Sequence, residues 1–441
     1  MHNVSPITPG TDTKPPSTPS SQKSGSGRIS AGMAGLLLAS SVLTIFQILL
    51  AYNLIISYNQ HPKNDLNLFL KFGQLVLDGQ TPYQGDLPFI YQFWVVFFYL
   101  PFARLDHEVA LHAWAVVNLM ILFGAVILGW RAFLPALGAR WLLPLYCLAL
   151  ALCSNAVITG HTTIITLTAL AGSALLIRHG RYFWAGLPAF VLLIKPQLSF
   201  LAGLALIVLL FYKPQEIEER ENFEPNWLRR AFRSRPVWRW LGGALAGTLA
   251  ILVVSLLVQP DWLARYAHTF NPAQTQGELQ ADGTYLEYYK SIFPSFFEFL
   301  TRAGQPWIAI ASIVVLGSLL ALGIYRLWQW RFSLPEFMAI ALALTLAITP
   351  YSHIYDFPPL LLAVFVILEH IRRDWKAENY RGALIRGGTL ALLFAIQPLS
   401  ADYRWFYSQA LVICLLALSF SPQQPVITSK SNIEKNTSLD Y

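Results

Sequence analysis

The chain has 441 residues, of which 55% are hydrophobic and 12% are charged, and its formal net charge is +7. Globular proteins typically have about 25% charged residues, so this composition excludes an ordinary water-soluble fold and indicates a membrane protein. The apolar runs lack the alternation of a transmembrane β-barrel, which leaves an all-α, polytopic architecture. Basic residues gather in short loops between these runs, so they indicate membrane topology, and no nucleic-acid partner is predicted.

The N-terminal residues 1–30 are rich in Pro, Ser, Thr and Gly and are predicted to form a disordered cytoplasmic tail. A second such tail is predicted at residues 421–441. A cleaved signal peptide is the alternative interpretation of the N-terminus, but the first apolar run, at 31–57, is too long for one. The cysteines Cys147, Cys153 and Cys414 lie within apolar spans without ligand-like spacing, so neither a disulfide nor a zinc site is predicted.

Apolar runs separated by charges or by Pro and Gly predict about twelve transmembrane helices in one domain over residues 31–420. They lie near residues 31–57, 109–130, 141–157, 161–178, 183–195, 197–212, 239–258, 306–327, 335–350, 354–370, 383–398 and 404–420. The run at 89–103 is too short and too aromatic for a crossing, and we predict that it is re-entrant or interfacial. In the alternative arrangement, 89–103 spans the membrane and 183–212 forms one helix.

The distribution of Lys and Arg predicts that both termini and the loop at 213–239 are cytoplasmic, where anionic lipid headgroups suffice as partners of the basic loop. The loops at 58–88 and 259–305 and the turn at 350–354 then lie on the non-cytoplasmic face of the plasma membrane. The alternative arrangement would move four arginines outside and is disfavoured. These are Arg131, Arg140, Arg178 and Arg181.

The stretch NDLNLFLKFGQLVLDGQTPYQGD, residues 64–86, follows the first apolar run. Its apolar residues have helical spacing, which predicts an amphipathic helix on the membrane surface. Asn64 or Asp65 stands at the helix start, where a side-chain oxygen can cap orphan backbone N–H groups. Asp65 has a second interpretation as a general base, because a carboxylate at a membrane-facing pocket can take the proton of an attacking hydroxyl.

Polar residues within or beside later spans are further candidates. Lys195 lies in an apolar run, where a charge costs at least about 2.5–3.5 kcal/mol, and it could hold a phosphate at the helix break before Pro196; a snorkelling lysine is the alternative. His353 and Asp356, at the external end of a span, share a face if they are helical, although ordinary interfacial polarity or a helix cap also explains them. The aromatic residues of the 259–305 loop are explained first by an interfacial belt and second by a sugar-stacking platform.

Several of these motifs together resemble glycosyltransferase family 87, a branch of the C-type glycosyltransferases that use polyprenyl-phosphate sugars. The resemblance covers roughly residues 31–400. The chain departs from the family pattern at Tyr91-Gln92-Phe93, where Tyr-Pro-Pro is usual, and at Gly160-His161, where Gly-Gln is common. The motifs are Asp65, Phe72, LDGQTPY at 77–83, Tyr91, Gly160-His161, Gly186, IKPQ at 194–197 and TPYSHIYD at 349–356.

The resemblance implies a GT-C-like membrane hexosyltransferase of cell-envelope glycolipid biosynthesis. Such an enzyme moves a sugar, mannose in this branch, from a polyprenyl-phosphate donor to a lipid or glycan hydroxyl on the external face, with inversion. We predict Asp65 as the catalytic base. The predicted substrate-binding residues are Lys195, His353, Tyr83, Asp356, His161, Gln197 and Tyr351.

Three questions remain open at the level of sequence. A transporter or lipid flippase would place Lys195 and His353 along a path across the membrane, although the polar residues favour one face. A C-type ligase or protein glycosyltransferase would share the scaffold but is expected to have a larger external loop. A divalent metal could be held by Asp65, Asp356 and His353, but metal dependence is least secure in this branch, and no cofactor is predicted.

Overall fold

The computed structural model describes residues 31–60, 64–83, 91–195, 235–269, 334–348 and 354–396, with a few isolated positions near 314–325 and 413–419. Within these ranges the chain forms α- and 3₁₀-helices and contains no strand, as an all-α fold requires. Both predicted tails, the span at 197–212, most of the spans at 306–327 and 404–420, and most of the loops at 213–239 and 259–305 lie outside the described residues.

The α-helices follow one another along the chain with short 3₁₀ segments between them. The 3₁₀ segments are Phe93–Phe98, Ala139–Trp141, Leu187–Ile194 and Ile354–Asp356. The α-helices are α1 (Ala31–Asn59), α2 (Asp65–Leu77), α3 (Leu100–Ala103), α4 (His107–Phe133), α5 (Leu142–Thr159), α6 (Thr163–Arg178), α7 (Tyr182–Gly186), α8 (Arg235–Val258), α9 (Trp262–Thr269), α10 (Leu334–Ile348), α11 (Leu360–Lys376) and α12 (Tyr380–Ile396).

Four segments of the described chain are long and apolar enough to cross a bilayer, which needs about 20 residues. They are Leu38–Asn59, His107–Phe133, Ala139–Thr159 and Pro236–Val258. Each coincides with a span predicted from sequence. The apolar helices Thr163–Arg178 and Tyr182–Ile194 are shorter. The chain is therefore a helical membrane protein, while the total of about twelve spans stays a prediction.

The core of the bundle forms where α4, α5 and α6 pack against one another and α11 packs against α4. Helix α1 lies along α5 and α4, α10 lies along α11, and α11 also contacts α12. Fully buried apolar side chains fill the space between these helices, including Leu122, Ile164, Leu342 and Phe365. This packing brings the turn after α5 and the 3₁₀ segment Ile354–Asp356 to the same end of the bundle.

The amphipathic helix predicted after the first span is present as α2, which buries Leu66, Phe69, Leu70 and Phe72 and leaves Lys71 exposed. Asn64 is its N-cap residue but makes no side-chain capping bond, and Asp65 is the first helical residue. The Asp65 side chain is therefore not the N-cap, and the cap interpretation of this carboxylate is wrong.

The aromatic run after α2 forms two short helices, Phe93–Phe98 and α3, which are too short to cross a bilayer. This agrees with the prediction that 89–103 does not span; whether it is re-entrant or interfacial stays a prediction. Phe93, Trp94, Val96 and Tyr99 are buried and form a second apolar cluster with α2 and the start of α4. The cluster holds α2 against the bundle.

Backbone contacts between α7 and α8 are unusually close because glycines face the crossing. A Cβ on Gly243 would lie 2.0 Å from the Phe183 carbonyl oxygen, and one on Gly247 would lie 2.1 Å from the Leu187 carbonyl oxygen. Small residues four apart are a standard means of bringing membrane helices into contact. This crossing fixes the 3₁₀ segment Leu187–Ile194, which ends at Lys195.

We predict that Gly243→Ala destabilises the protein by about 1–3 kcal/mol, because the added methyl group overpacks the crossing. Gly242→Ala is the matched control, since a Cβ there has nothing within 4 Å. It should leave stability unchanged or raise it slightly, because Ala is the better helix former. Thermal unfolding of both variants in detergent measures the difference; equal melting temperatures would contradict the close crossing.

Candidate active site

Five distant parts of the chain meet at the α2 end of the bundle. They are the start of α2 with Asp65, the segment from Tyr91 to Tyr99, the turn from Gly160 to Thr163, Lys195, and the 3₁₀ segment Ile354–Asp356. Side-chain contacts bring them together, although Lys195 and Asp356 are 161 residues apart in sequence.

The Lys195 ammonium and the Asp356 carboxylate form an ion pair with an Nζ–Oδ1 distance of 2.6 Å. The side chains are 8% and 0% exposed. The same ammonium lies 4.5 Å from the centroid of the Tyr355 ring. A buried charge needs such a partner, and removing one member of a buried pair typically costs about 3–5 kcal/mol. The pair therefore fastens the segment after Leu187–Ile194 to the segment before α11.

The Asp65 carboxyl is near enough to this pair for both charged groups to influence its pKa. Burial raises the pKa of Asp65 from an ordinary 3.8 to about 6, the nearby Lys195 ammonium lowers it, and the Asp356 carboxylate raises it further. Burial has the largest effect on this pKa because the ionised carboxylate loses hydrating water in the folded protein. A carboxyl with this pKa is mainly ionised at neutral pH and can still accept a proton readily, which is what general-base catalysis requires.

His161 links the turn after α5 to the Asp356 segment. Its ring stacks on Tyr355 with centroids 4.1 Å apart, and its Nε2 lies 3.0 Å from the Tyr91 hydroxyl oxygen. The Thr163 hydroxyl donates to the Tyr355 carbonyl oxygen. Tyr355 is thus held by a backbone hydrogen bond, by the His161 ring and by the Lys195 ammonium.

An aromatic stack forms the wall behind Asp65. Phe69 stacks on Tyr99 with centroids 4.5 Å apart, and Tyr99 stacks on Trp114 at 4.6 Å. The Tyr99 hydroxyl donates to the Gly160 carbonyl oxygen at 2.9 Å. Burial, and to a smaller extent the Asp65 carboxylate, raise the pKa of Tyr99, so this phenol stays neutral. The wall excludes water from one side of the site.

Tyr83 contacts the segment that begins at Tyr91. Its hydroxyl donates to the Tyr91 carbonyl oxygen at 3.0 Å, and its ring meets the Tyr266 ring at 6.0 Å. Gln92 donates through Nε2 to the Leu193 carbonyl oxygen at 2.8 Å. Tyr83 therefore supports the Tyr91 segment, and Gln92 ties that segment to the chain just before Lys195.

Of the residues predicted from sequence, the structure brings Asp65, Lys195, Asp356 and His161 together, and it places Tyr83 in contact with Tyr91. His353, Gln197 and Tyr351 lie outside the described residues. The sequence reasoning assigned no role to Tyr91, Tyr99 or Tyr355. Tyr91 is one of the family-like motif residues, and Tyr355 lies within the motif at 349–356, so the motifs could have indicated both. Nothing in the local sequence distinguishes Tyr99 from other interfacial aromatic residues.

The metal site of Asp65, Asp356 and His353 stays a prediction, because His353 lies outside the described residues. Within the described ranges, no three His, Cys, Asp or Glu side chains are grouped as ligands. The Asp356 carboxylate is engaged by Lys195.

A sequence model of glycosyltransferase family 87 matches residues 89–350, which is more than half of the chain. The matched range contains Tyr91, His161 and Lys195, whereas Asp65 precedes it and Asp356 follows it. Searches of curated proteins and of solved structures found no match.

We predict that Gly160→Ala disrupts the site, because Gly160 has φ +68° and a Cβ there would lie 2.7 Å from Trp114 Nε1 and 3.1 Å from Leu66 Cβ. Gly180→Ala is the matched control, since Gly180 has φ +70° but open space around it. In both variants the alanine must adopt a left-handed backbone conformation, which lowers the stability by about 1–2 kcal/mol. Gly160→Ala should melt at a clearly lower temperature; equal melting would mean that the approach of α2 and α4 to this turn is loose.

Proposed function

The chain belongs to glycosyltransferase family 87, and from this premise we propose that it transfers a hexose from a polyprenyl-phosphate sugar to a hydroxyl group. The sugar is mannose, the acceptor is a lipid or glycan, and transfer takes place with inversion on the non-cytoplasmic face of the plasma membrane. The observation that carries the proposal is the position of Asp65, a carboxyl with a pKa of about 6 beside the buried Lys195–Asp356 pair.

In this reaction Asp65 is the general base. Its carboxylate takes the proton of the acceptor hydroxyl while the hydroxyl oxygen forms a bond to the anomeric carbon. The bond from that carbon to the phosphate oxygen breaks, and polyprenyl phosphate leaves with the electron pair. Attack opposite the leaving group inverts the anomeric configuration. General-base assistance of this kind typically contributes about 10²–10⁴-fold to the rate.

Lys195 supplies the positive charge for the departing phosphate. Its ammonium lies in a buried setting where electrostatic interactions are stronger than in water, and it is within electrostatic range of Asp65. The acceptor oxygen and the leaving phosphate must lie on opposite sides of one carbon atom, so base and cation have to be near each other without being bonded. The described ion pairs include Lys195 with Asp356 and none with Asp65, which fits this division.

The surroundings of the site suit a lipid-linked donor. Asp65 begins the amphipathic helix α2, which buries its apolar face and directly follows the first apolar helix. This arrangement supports a site near the membrane surface. A polyprenyl chain can then remain in the bilayer while its phosphate reaches Lys195. The family assignment favours this enzyme over the transporter or flippase alternative.

Replacing Asp65 with Asn should lower kcat by about 10²–10⁴-fold with a smaller effect on donor KM, because the amide cannot accept the proton. The measurement is transfer of labelled mannose from a polyprenyl-phosphate mannose pool by the purified enzyme. Asp78→Asn is the control: Asp78 is an exposed carboxylate at the other end of α2, bonded to Gln74. Full turnover by the Asp65 variant would remove the proposed base.

The pH dependence of kcat/KM for the acceptor should show an inflection near pH 6, with activity falling as the pH drops. Activity falls at low pH because the base acts as a carboxylate. With its pKa raised from 3.8 to about 6, Asp65 is mostly protonated below pH 6 and cannot accept the acceptor's proton. Residual activity of Asp65→Asn should lack this inflection. An inflection near pH 4 in the wild-type enzyme would show that Asp65 has an ordinary pKa.

A further inference from the structure

The charges around Lys195 raise a difficulty for any anionic ligand. Among the described residues, Lys195 contributes one positive charge, while Asp356 and the ionised Asp65 contribute two negative charges, so these three side chains have a formal charge of −1. The Asp356 side chain is completely buried and lies 2.6 Å from the ammonium. A carboxylate in that position already binds the ammonium and repels a second anion.

The donor and the product of the proposed reaction are both anions. A sugar linked to a polyprenyl phosphate is a phosphodiester with one negative charge. The polyprenyl phosphate that leaves is a monoester with a charge of roughly −1.5 to −2 near neutral pH. Asp356 repels either anion when it binds Lys195 at hydrogen-bonding distance, and this repulsion falls if the carboxylate moves away from the ammonium.

We infer that Asp356 is an internal competitor of the lipid phosphate: donor binding displaces the Asp356 carboxylate from Lys195, and its return helps to expel polyprenyl phosphate. The inference rests on the proposed function and concerns the regulation of the same site. It gives Asp356 a role opposite to the simple one predicted from sequence, in which this residue binds substrate. A competitor of this kind limits product inhibition, because the product has more negative charge than the donor and would otherwise bind Lys195 more tightly.

The geometry permits the exchange without rearranging the backbone. Thr163 donates to the Tyr355 carbonyl oxygen, and the Tyr355 ring stacks on His161. These contacts hold the 3₁₀ segment Ile354–Asp356, so the proposed exchange moves the Asp356 side chain and leaves the segment in place. The Lys195 ammonium is 4.5 Å from the centre of the Tyr355 ring. This cation–π contact remains available while the long, flexible lysine side chain changes its anionic partner.

The test is binding of farnesyl phosphate, a soluble lipid monophosphate, to purified wild-type, Asp356→Asn and Thr163→Val proteins. We expect Asp356→Asn to bind farnesyl phosphate about tenfold more tightly, because the amide removes the competing negative charge while the side chain keeps nearly the same shape. Thr163→Val loosens the Tyr355 segment without changing charge and should bind no better than wild type. Asp78→Asn, which alters an exposed carboxylate, should match wild type.

Weaker binding by folded Asp356→Asn would overturn the inference, since Asp356 would then be positioning Lys195 for the phosphate. If this variant does not fold, a structure of the wild-type protein with farnesyl phosphate decides the matter. We expect Asp356 to lie beyond hydrogen-bonding distance of Lys195 and a phosphate oxygen to take its place. An intact pair in that structure would overturn the inference. Failure of all variants to bind farnesyl phosphate would contradict the proposed function itself, whereas the Asp356 comparison tests only the competition.

Discussion

The structure depends on the need to pair a charge that lies inside a membrane protein. Lys195 is buried directly after the 3₁₀ segment Leu187–Ile194, and its charge would be very unfavourable without a partner. Asp356, 161 residues away in sequence, supplies that partner. That contact sets the position of Tyr355, and through Tyr355 the positions of His161 and Thr163. The ion pair therefore organises the site as well as stabilising it.

Local pattern was sufficient to predict the elements but not their contacts. The apolar runs located α1, α4, α5 and α8, and the helical spacing after residue 64 located α2, because each signal lies within a few turns of chain. The sequence also selected Asp65, Lys195 and Asp356 as polar residues in unfavourable places. It did not predict that Lys195 and Asp356 bind each other, because pairing at that sequence distance is decided by helix packing. The Phe69–Tyr99–Trp114 stack was missed for the same reason.

The packing that decides these contacts depends on small residues. Gly243 and Gly247 let α8 approach the backbone of α7 and of the 3₁₀ segment that ends at Lys195. Gly160, with its left-handed backbone, lets the end of α5 pass close to Trp114 and α2. Without side chains at these points, Lys195 and His161 can both contact Tyr355. Glycine positions therefore do much to determine which of the predicted polar residues meet.

A comparison among the buried carboxylates distinguishes the base from the structural acids. Asp356 is 2.6 Å from Lys195, Glu336 is 2.6 Å from His370 Nε2, and Glu369 contacts two arginines. Each has a cationic or ionisable partner at bonding distance.

Among the described ion pairs Asp65 has none, although Lys195 is near enough to influence its pKa. A directly paired carboxylate has an oxygen engaged by its partner, whereas the Asp65 carboxylate has no such described ion pair and is available to accept a proton. This difference in environment is the reason for assigning proton transfer to Asp65 and a competing role to Asp356.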